Sequence, residues 1–268
     1  MSKYIHDRFR DESEKIEALI KLNTAAIIRK AFEVKAGHIG GSLSMSQFLL
    51  PLLYWLEKSR DNYEIVLGKG HAALGLYSIL HTLGVSSNAY EEFCQRSTGS
   101  LHGHTTKRAF EKLIASTGSL GHGLPIAAGK AYADRLFDVR NPILCVMGDG
   151  ELQEGTFAEV LLQHKLLADT SLKILVDNNH SVKASAIDGT NILPSVYDIS
   201  VYDSSSLGHL VKAYQDICSP GLSVLIFETK KMANIKGHEN NPRWHAGLPK
   251  DEAELSMLIE MIDVRLGK

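Results

Sequence analysis

The chain of 268 residues has little of several features that mark common kinds of protein. It carries only three cysteines, Cys94, Cys145 and Cys218, an odd number without paired spacing. That excludes a disulfide scaffold or a zinc ribbon and suits a reducing compartment. Charge of one sign is also missing. Twenty-nine Lys and Arg against 31 Asp and Glu leave a formal net charge of −2, which gives no electrostatic case for nucleic acid or a membrane surface. No apolar run approaches the ~18–20 residues that span a bilayer. The charged N-terminus has no apolar core of a signal peptide. There is no internal repeat, no low-complexity segment and no Pro/Ser linker. What is present is a 44 % hydrophobic chain, long enough to bury a real core. The expectation is a soluble, cytoplasmic protein with neither nucleic acid nor membrane as partner.

The hydrophobic pattern predicts an α/β fold. Residues 12–35 place Ile16, Leu19, Ile20, Ala26 and Ile27 at helical spacing, residues 44–56 form a second helical stretch, and the first 58 or so read as a helical segment. Two apolar runs rich in β-branched residues end in turn signals. Residues 143–147 run into Gly148-Asp149-Gly150, and residues 172–176 run into Asp177-Asn178-Asn179. Between them, 156–167 has helical periodicity, so the unit is strand, helix, parallel strand. A helix over 207–218, a strand over 222–227 and a closing helix over 250–266 complete a doubly wound parallel sheet in a single domain spanning 1–268. Such sheets bind ligands beyond the carboxyl ends of their strands.

Those ends hold the unusual residues. A glycine turn ahead of a helix favours an anion, yet Gly148-Asp149-Gly150-Glu151 matches neither the dinucleotide fingerprint nor the Walker loop. Two acids in such a turn would repel a bare diphosphate. They make sense if a divalent cation bridges carboxylate and phosphate. Asn179, thirty residues after Asp149, lies at the end of the next parallel strand and adds a second hard oxygen, suited to Mg²⁺ or Ca²⁺ rather than Zn²⁺. Either turn alone reads equally well as a plain Asx-capped turn. The paired spacing favours the metal.

Gly148-Asp149-Gly150 followed thirty residues later by Asn-Asn resembles the thiamine diphosphate fingerprint, and the surrounding chain resembles the N-terminal, diphosphate-binding domain of transketolases. The matching segments, in family order, are Gly37-His38-Ile39-Gly40-Gly41-Ser42-Leu43-Ser44, Gly68-Lys69-Gly70-His71-Ala72, Leu101-His102-Gly103-His104, Thr117-Gly118-Ser119-Leu120-Gly121-His122-Gly123, Gly148 through Gly155, Ile187-Asp188-Gly189, and Glu239-Asn240-Asn241-Pro242-Arg243-Trp244-His245. One such match is weak; seven in order are specific.

The resemblance implies a set of roles. Asp149, the Asn179 side chain and the Ser181 carbonyl would hold Mg²⁺, with Ca²⁺ as the alternative. Gly150 would meet the diphosphate through its N–H, with Glu151 also at the cofactor. His71 and His245 would reach the phosphates and the reacting carbons, and His38 and His104 the hydroxyls of the donor sugar. Gly118, Ser119 and Leu120 would pack against the cofactor rings, with His122 facing the same pocket. Glu154 and Glu159 match acids near the cofactor at a subunit interface. The bland reading of Glu159 is a solvated helix acid, and that of His102 a surface residue. A histidine pair holding zinc at His102 and His104 has no supporting acid or cysteine cluster.

The family's activity is transfer of a two-carbon ketol unit from a ketose, often a sugar phosphate, to an aldose. Activation of the cofactor there needs a glutamate of a separate pyrimidine-binding domain, for which 268 residues leave no room. The expectation is the N-terminal subunit of a split transketolase, active only with a C-terminal partner subunit, in an α2β2 heterotetramer. Three departures stand out: His122 where the family usually has Gln, Thr105 where Pro is usual, and a long segment between Asn179 and Asp188. The first two fall where substrate would lie and bear on donor choice. Two other readings stay open. One is the α subunit of a 2-oxoacid dehydrogenase or of a specialised acyl or ketol transferase. The other is a non-catalytic, cofactor-binding regulatory subunit. The segments at His38, His71 and His104 fit a polyol donor better than a decarboxylated acid.

Overall fold

A computed structural model describes residues 12–95, 101–182 and 199–262. In chain order its helices are α1 (Ser13–Val34), α2 (Ile39–Ser59), α3 (Ala73–Thr82), α4 (Asn88–Glu92), α5 (Gly123–Leu136), α6 (Gly155–Leu161), α7 (His164–Leu167), α8 (Leu207–Cys218) and α9 (Glu252–Met261). Its strands are β1 (Glu64–Leu67), β2 (Ile143–Gly148), β3 (Leu172–Asn178), β4 (Ile199–Asp203) and β5 (Ser223–Glu228). They form one sheet in the order β1-β2-β3-β5-β4, with every pair parallel.

The two-residue period of a strand sends alternate side chains to opposite faces. Ile65, Leu67, Leu144, Val146, Leu175, Leu225 and Phe227 therefore join one core with α1, α2, α3 and α8. Val66, Ile143, Cys145, Met147, Ile174, Val176 and Ile226 join a second core with α5, α6 and α7. Because both faces are covered, the central strands read as continuous apolar runs rather than as alternation. Every residue from Ile39 to Leu53 in α2 is buried. A helix apolar on all sides belongs inside a protein, and this one carries its N-terminal end to the carboxyl edge of the sheet.

Several boundaries differ from the sequence expectation. Helix α2 starts five residues before 44, so Gly40 and Gly41 lie inside it. The helix expected over 156–167 is two, α6 and α7, divided at Leu162 and Gln163. Strands β1 and β4 and helices α3 and α5 were not anticipated. Ile187-Asp188-Gly189, the first eleven residues and the closing helix beyond 262 lie outside the described residues.

Candidate active site

Four histidines from four separate segments meet at the carboxyl edge of the sheet. His38 stands at the N-cap of α2, just after Gly37 with φ +110°. His71 lies in the 3-10 turn that follows β1. His104 lies in the loop that Thr105 N–H anchors to the Gly70 carbonyl at 3.1 Å. His245 closes the 3-10 turn Pro242–His245, where the Arg243 N–H donates to Asn241 Oδ1 at 3.0 Å. Ring centroids are 5.2 Å apart for His38 and His71, 6.5 Å for His38 and His104, 6.0 Å for His38 and His245, and 6.2 Å for His71 and His245.

Two glycines permit this convergence. A Cβ on Gly40 would sit 2.5 Å from the Trp244 carbonyl oxygen, so only glycine lets the His245 turn rest on α2. A Cβ on Gly70 would sit 2.7 Å from the Thr117 carbonyl oxygen, so glycine there brings the His71 turn against Gly118.

The electrostatics keep three of the rings neutral. Burial, the Lys69 ammonium and the neighbouring rings lower His71 to about 3. Burial, His245 and His104 lower His38. Burial, Lys231 and Lys69 lower His245 against an opposing pull from Asp149. Lys231 Nζ lies 3.1 Å from His245 Nδ1. An ammonium only donates, so Nδ1 accepts and the neutral ring carries its proton on Nε2.

The oxygen pair lies beside this cluster. Parallel register sets Gly148 opposite Asp177, so Asp149 and Asn179 leave adjacent strands at one level. Ser181 touches both: its N–H donates to Asp149 Oδ2 at 2.7 Å, and its hydroxyl donates to Asn179 Oδ1. His180, in the left-handed region at φ +53°, turns the chain to make this possible. Gly150 N–H donates to the other Asp149 oxygen at 3.0 Å. The donor set fits a hard divalent cation: one carboxylate and one amide oxygen, with backbone groups close by. Among the described residues no three His, Cys, Asp or Glu side chains group as a metal cluster.

Behind Asn179 lies a network that the sequence pattern does not reveal. Asp177, fully buried, accepts from Ser44 Oγ at 2.6 Å, from Asn179 Nδ2 at 3.1 Å, from Thr229 Oγ1 and from the buried Lys69 ammonium. Lys69 also donates to the Gly41 carbonyl at 3.2 Å. The available signals were a lysine inside Gly68-Lys69-Gly70 and an aspartate closing an apolar strand.

One site expectation is corrected by the geometry. Glu151 is buried, and its carboxylate accepts from Gly148 N–H at 2.9 Å and Gly121 N–H at 3.2 Å. It braces two glycine turns from inside instead of facing a diphosphate. Burial raises its pKa while those N–H groups pull it back. His122, at the N-cap of α5, is exposed. Gly118, Ser119 and Leu120 lie on the same open strip, with Leu120 47 % exposed. Glu154 is half-buried at the start of α6, and Glu159 is exposed on it.

The transketolase thiamine diphosphate binding domain matches residues 17–198. The chain belongs to the transketolase family. It is 30 % identical to an apulose-4-phosphate transketolase subunit of Actinobacillus succinogenes, over 92 % of this chain and 95 % of that protein. It is also 30 % identical to human transketolase, over 82 % of this chain but 38 % of that protein. In fold it is similar to transketolase from Leishmania mexicana, with a TM-score of 0.69 at 20 % identity, covering 91 % of this chain and 40 % of that one. The chain therefore spans nearly the whole of the Actinobacillus protein and about two fifths of the longer transketolases. As a transketolase-family chain it is an enzyme component of the transferase class with a thiamine diphosphate-binding domain. No helix among the described residues is long and apolar enough to cross a membrane.

Proposed function

We propose that this chain is the diphosphate-binding subunit of a two-chain transketolase that moves a two-carbon ketol unit from a phosphorylated ketose to an aldose. The observation that carries the reading is the convergence of His38, His71, His104 and His245 beside the Asp149 and Asn179 oxygens. Thiamine diphosphate, when bound, supplies an electron sink for the two-carbon carbanion. Asp149, Asn179 and the Ser181 carbonyl hold Mg²⁺, or Ca²⁺ in its place, against the diphosphate. Gly150 N–H meets a phosphate oxygen, and Gly118, Ser119 and Leu120 form one wall for the rings.

The rings then divide the proton work. His38 and His104 hydrogen-bond the donor hydroxyls, and a neutral His38 accepts a proton as the carbonyl forms. His245 presents its Nε2–H to developing alkoxide charge. His71, the most strongly depressed, stays uncharged and acts as a hydrogen-bonding partner. The 4-phosphate in the name of the Actinobacillus relative supports a phosphorylated donor. That relative is named as one subunit of its enzyme, which supports a second chain here. The second chain brings the pyrimidine-binding domain and closes over Leu120, Glu154 and Glu159 in an α2β2 assembly.

Calorimetric titration of thiamine diphosphate with Mg²⁺ into the chain and its co-purified partner tests the reading. Binding is expected in the wild type, and Asp149→Ala should weaken it by roughly tenfold or more, about 1.4 kcal/mol. Undiminished binding by Asp149→Ala would remove the cation site from its place.

A further inference from the structure

We propose that Asp177 is the positioning residue that sets the direction of the Asn179 amide and so makes Asn179 a cation ligand. This rests on the cofactor reading above. An asparagine amide has two faces of opposite character: Oδ1 accepts and can bind a cation, whereas Nδ2 donates and repels one. Sequence places Asn179 at the strand end but leaves the amide free to turn either way. The network decides it. Nδ2 points inward to Asp177 Oδ2 at 3.1 Å and Ser44 Oγ at 3.0 Å. Ser44 commits its own hydrogen to Asp177 at 2.6 Å, so toward Asn179 it offers a lone pair.

Asp177 receives four donors: Lys69, Ser44, Thr229 and Asn179. A carboxylate is acceptor-only. Turning the amide over would set Asn179 Oδ1 against the Asp177 carboxylate oxygen, with no proton between two acceptors in a buried site. Only one orientation survives, and it leaves Oδ1 beside Ser181 and Asp149, on the cation side. The Lys69 charge completes the device. It balances the buried carboxylate, so Asp177 stays ionised and acceptor-only in a buried site. Lys69 in the turn after β1, Asp177 in β3 and Ser44 in α2 thus form an outer layer behind Asn179.

The test is the apparent Mg²⁺ affinity at saturating thiamine diphosphate, measured by calorimetry on the full chain with its co-purified partner. Asp177→Asn gives position 177 a donor of its own and lets the Asn179 amide turn. It should weaken Mg²⁺ by about 10–100-fold, the range typical of lost outer-layer partners. The double variant K69M/D177N removes both buried charges together and should show the same loss, which separates amide direction from an unpaired lysine. Thr229→Val removes a donor to Asp177 that does not touch Asn179 and should change Mg²⁺ affinity by less than about threefold. A structural defect alone would instead lower the ligand-free melting temperature and spare the Mg²⁺ term. Wild-type Mg²⁺ affinity in a folded D177N or K69M/D177N overturns the proposal while leaving the cofactor reading intact. Failure of the wild type to bind Mg²⁺ with thiamine diphosphate overturns both.

Discussion

Lys69 and Asp177 show how much one buried pair can govern. Each is almost wholly inaccessible, and each has its partner. Removing one member leaves an uncompensated charge in a site that cannot rehydrate it. Lys69→Met should cost about 3–5 kcal/mol in urea unfolding, with part of that loss recovered in K69M/D177N. Equal stability of K69M and the wild type would mean that the pair is not desolvated as described. His71 gives the pH dependence its sign. Its folded pKa, about 3, lies below the ordinary 6.5, so the unfolded chain binds more protons and stability falls as pH drops below 6.5. His38 and His245, also lowered, act in the same direction. The cofactor-free chain should unfold at lower urea at pH 5 than at pH 7. His71→Asn should flatten that difference. An unchanged slope in the variant would place the titration elsewhere.

Elements were legible where their pattern was one-sided or clearly bounded. β2, β3 and β5 show as apolar, β-branched runs ending in turns, and α1 and α8 as periodic stretches. β1 was missed because it has four residues between helices, and β4 because an edge strand with exposed Val201 carries little apolar signal. α3 was missed for the opposite reason: Ala73 to Leu80 are all buried, so no polar face marks a period. The site residues were legible through motifs, because backbone-contacting glycines and histidines keep fixed local order. The Asp177 network was not, since its hydrogen-bonded pairs lie up to 135 residues apart and meet only in the fold. Glu151 was misplaced for a related reason: sequence order shows neighbours in the chain but not which way a side chain turns. Two glycine replacements test the element contacts. Gly40→Ala should destabilise by about 1–3 kcal/mol through overpacking against Trp244 and lower turnover by displacing His245. Gly129→Ala, in α5 where a Cβ meets nothing within 4 Å, should stabilise by roughly 0.5–1 kcal/mol. Unfolding midpoints and turnover of both variants check this, and a harmless Gly40→Ala would deny the close approach.

At the scale of the whole molecule, the site forms the rim of one sheet rather than a closed cavity. His104, His245, His122, Ser119 and Leu120 are all exposed. On the function proposed above, this open rim would offer Asp149, Asn179 and the histidines to the cofactor, and a second chain would close it against water. The most direct measurement is ketol transfer from xylulose 5-phosphate to ribose 5-phosphate. The purified chain is assayed alone, with its partner, and with the partner after Asp149→Ala. Transfer is expected only from wild-type chain and partner together, dependent on thiamine diphosphate and Mg²⁺. Robust transfer by this chain alone, or transfer by the assembled pair that survives Asp149→Ala unchanged, would contradict it.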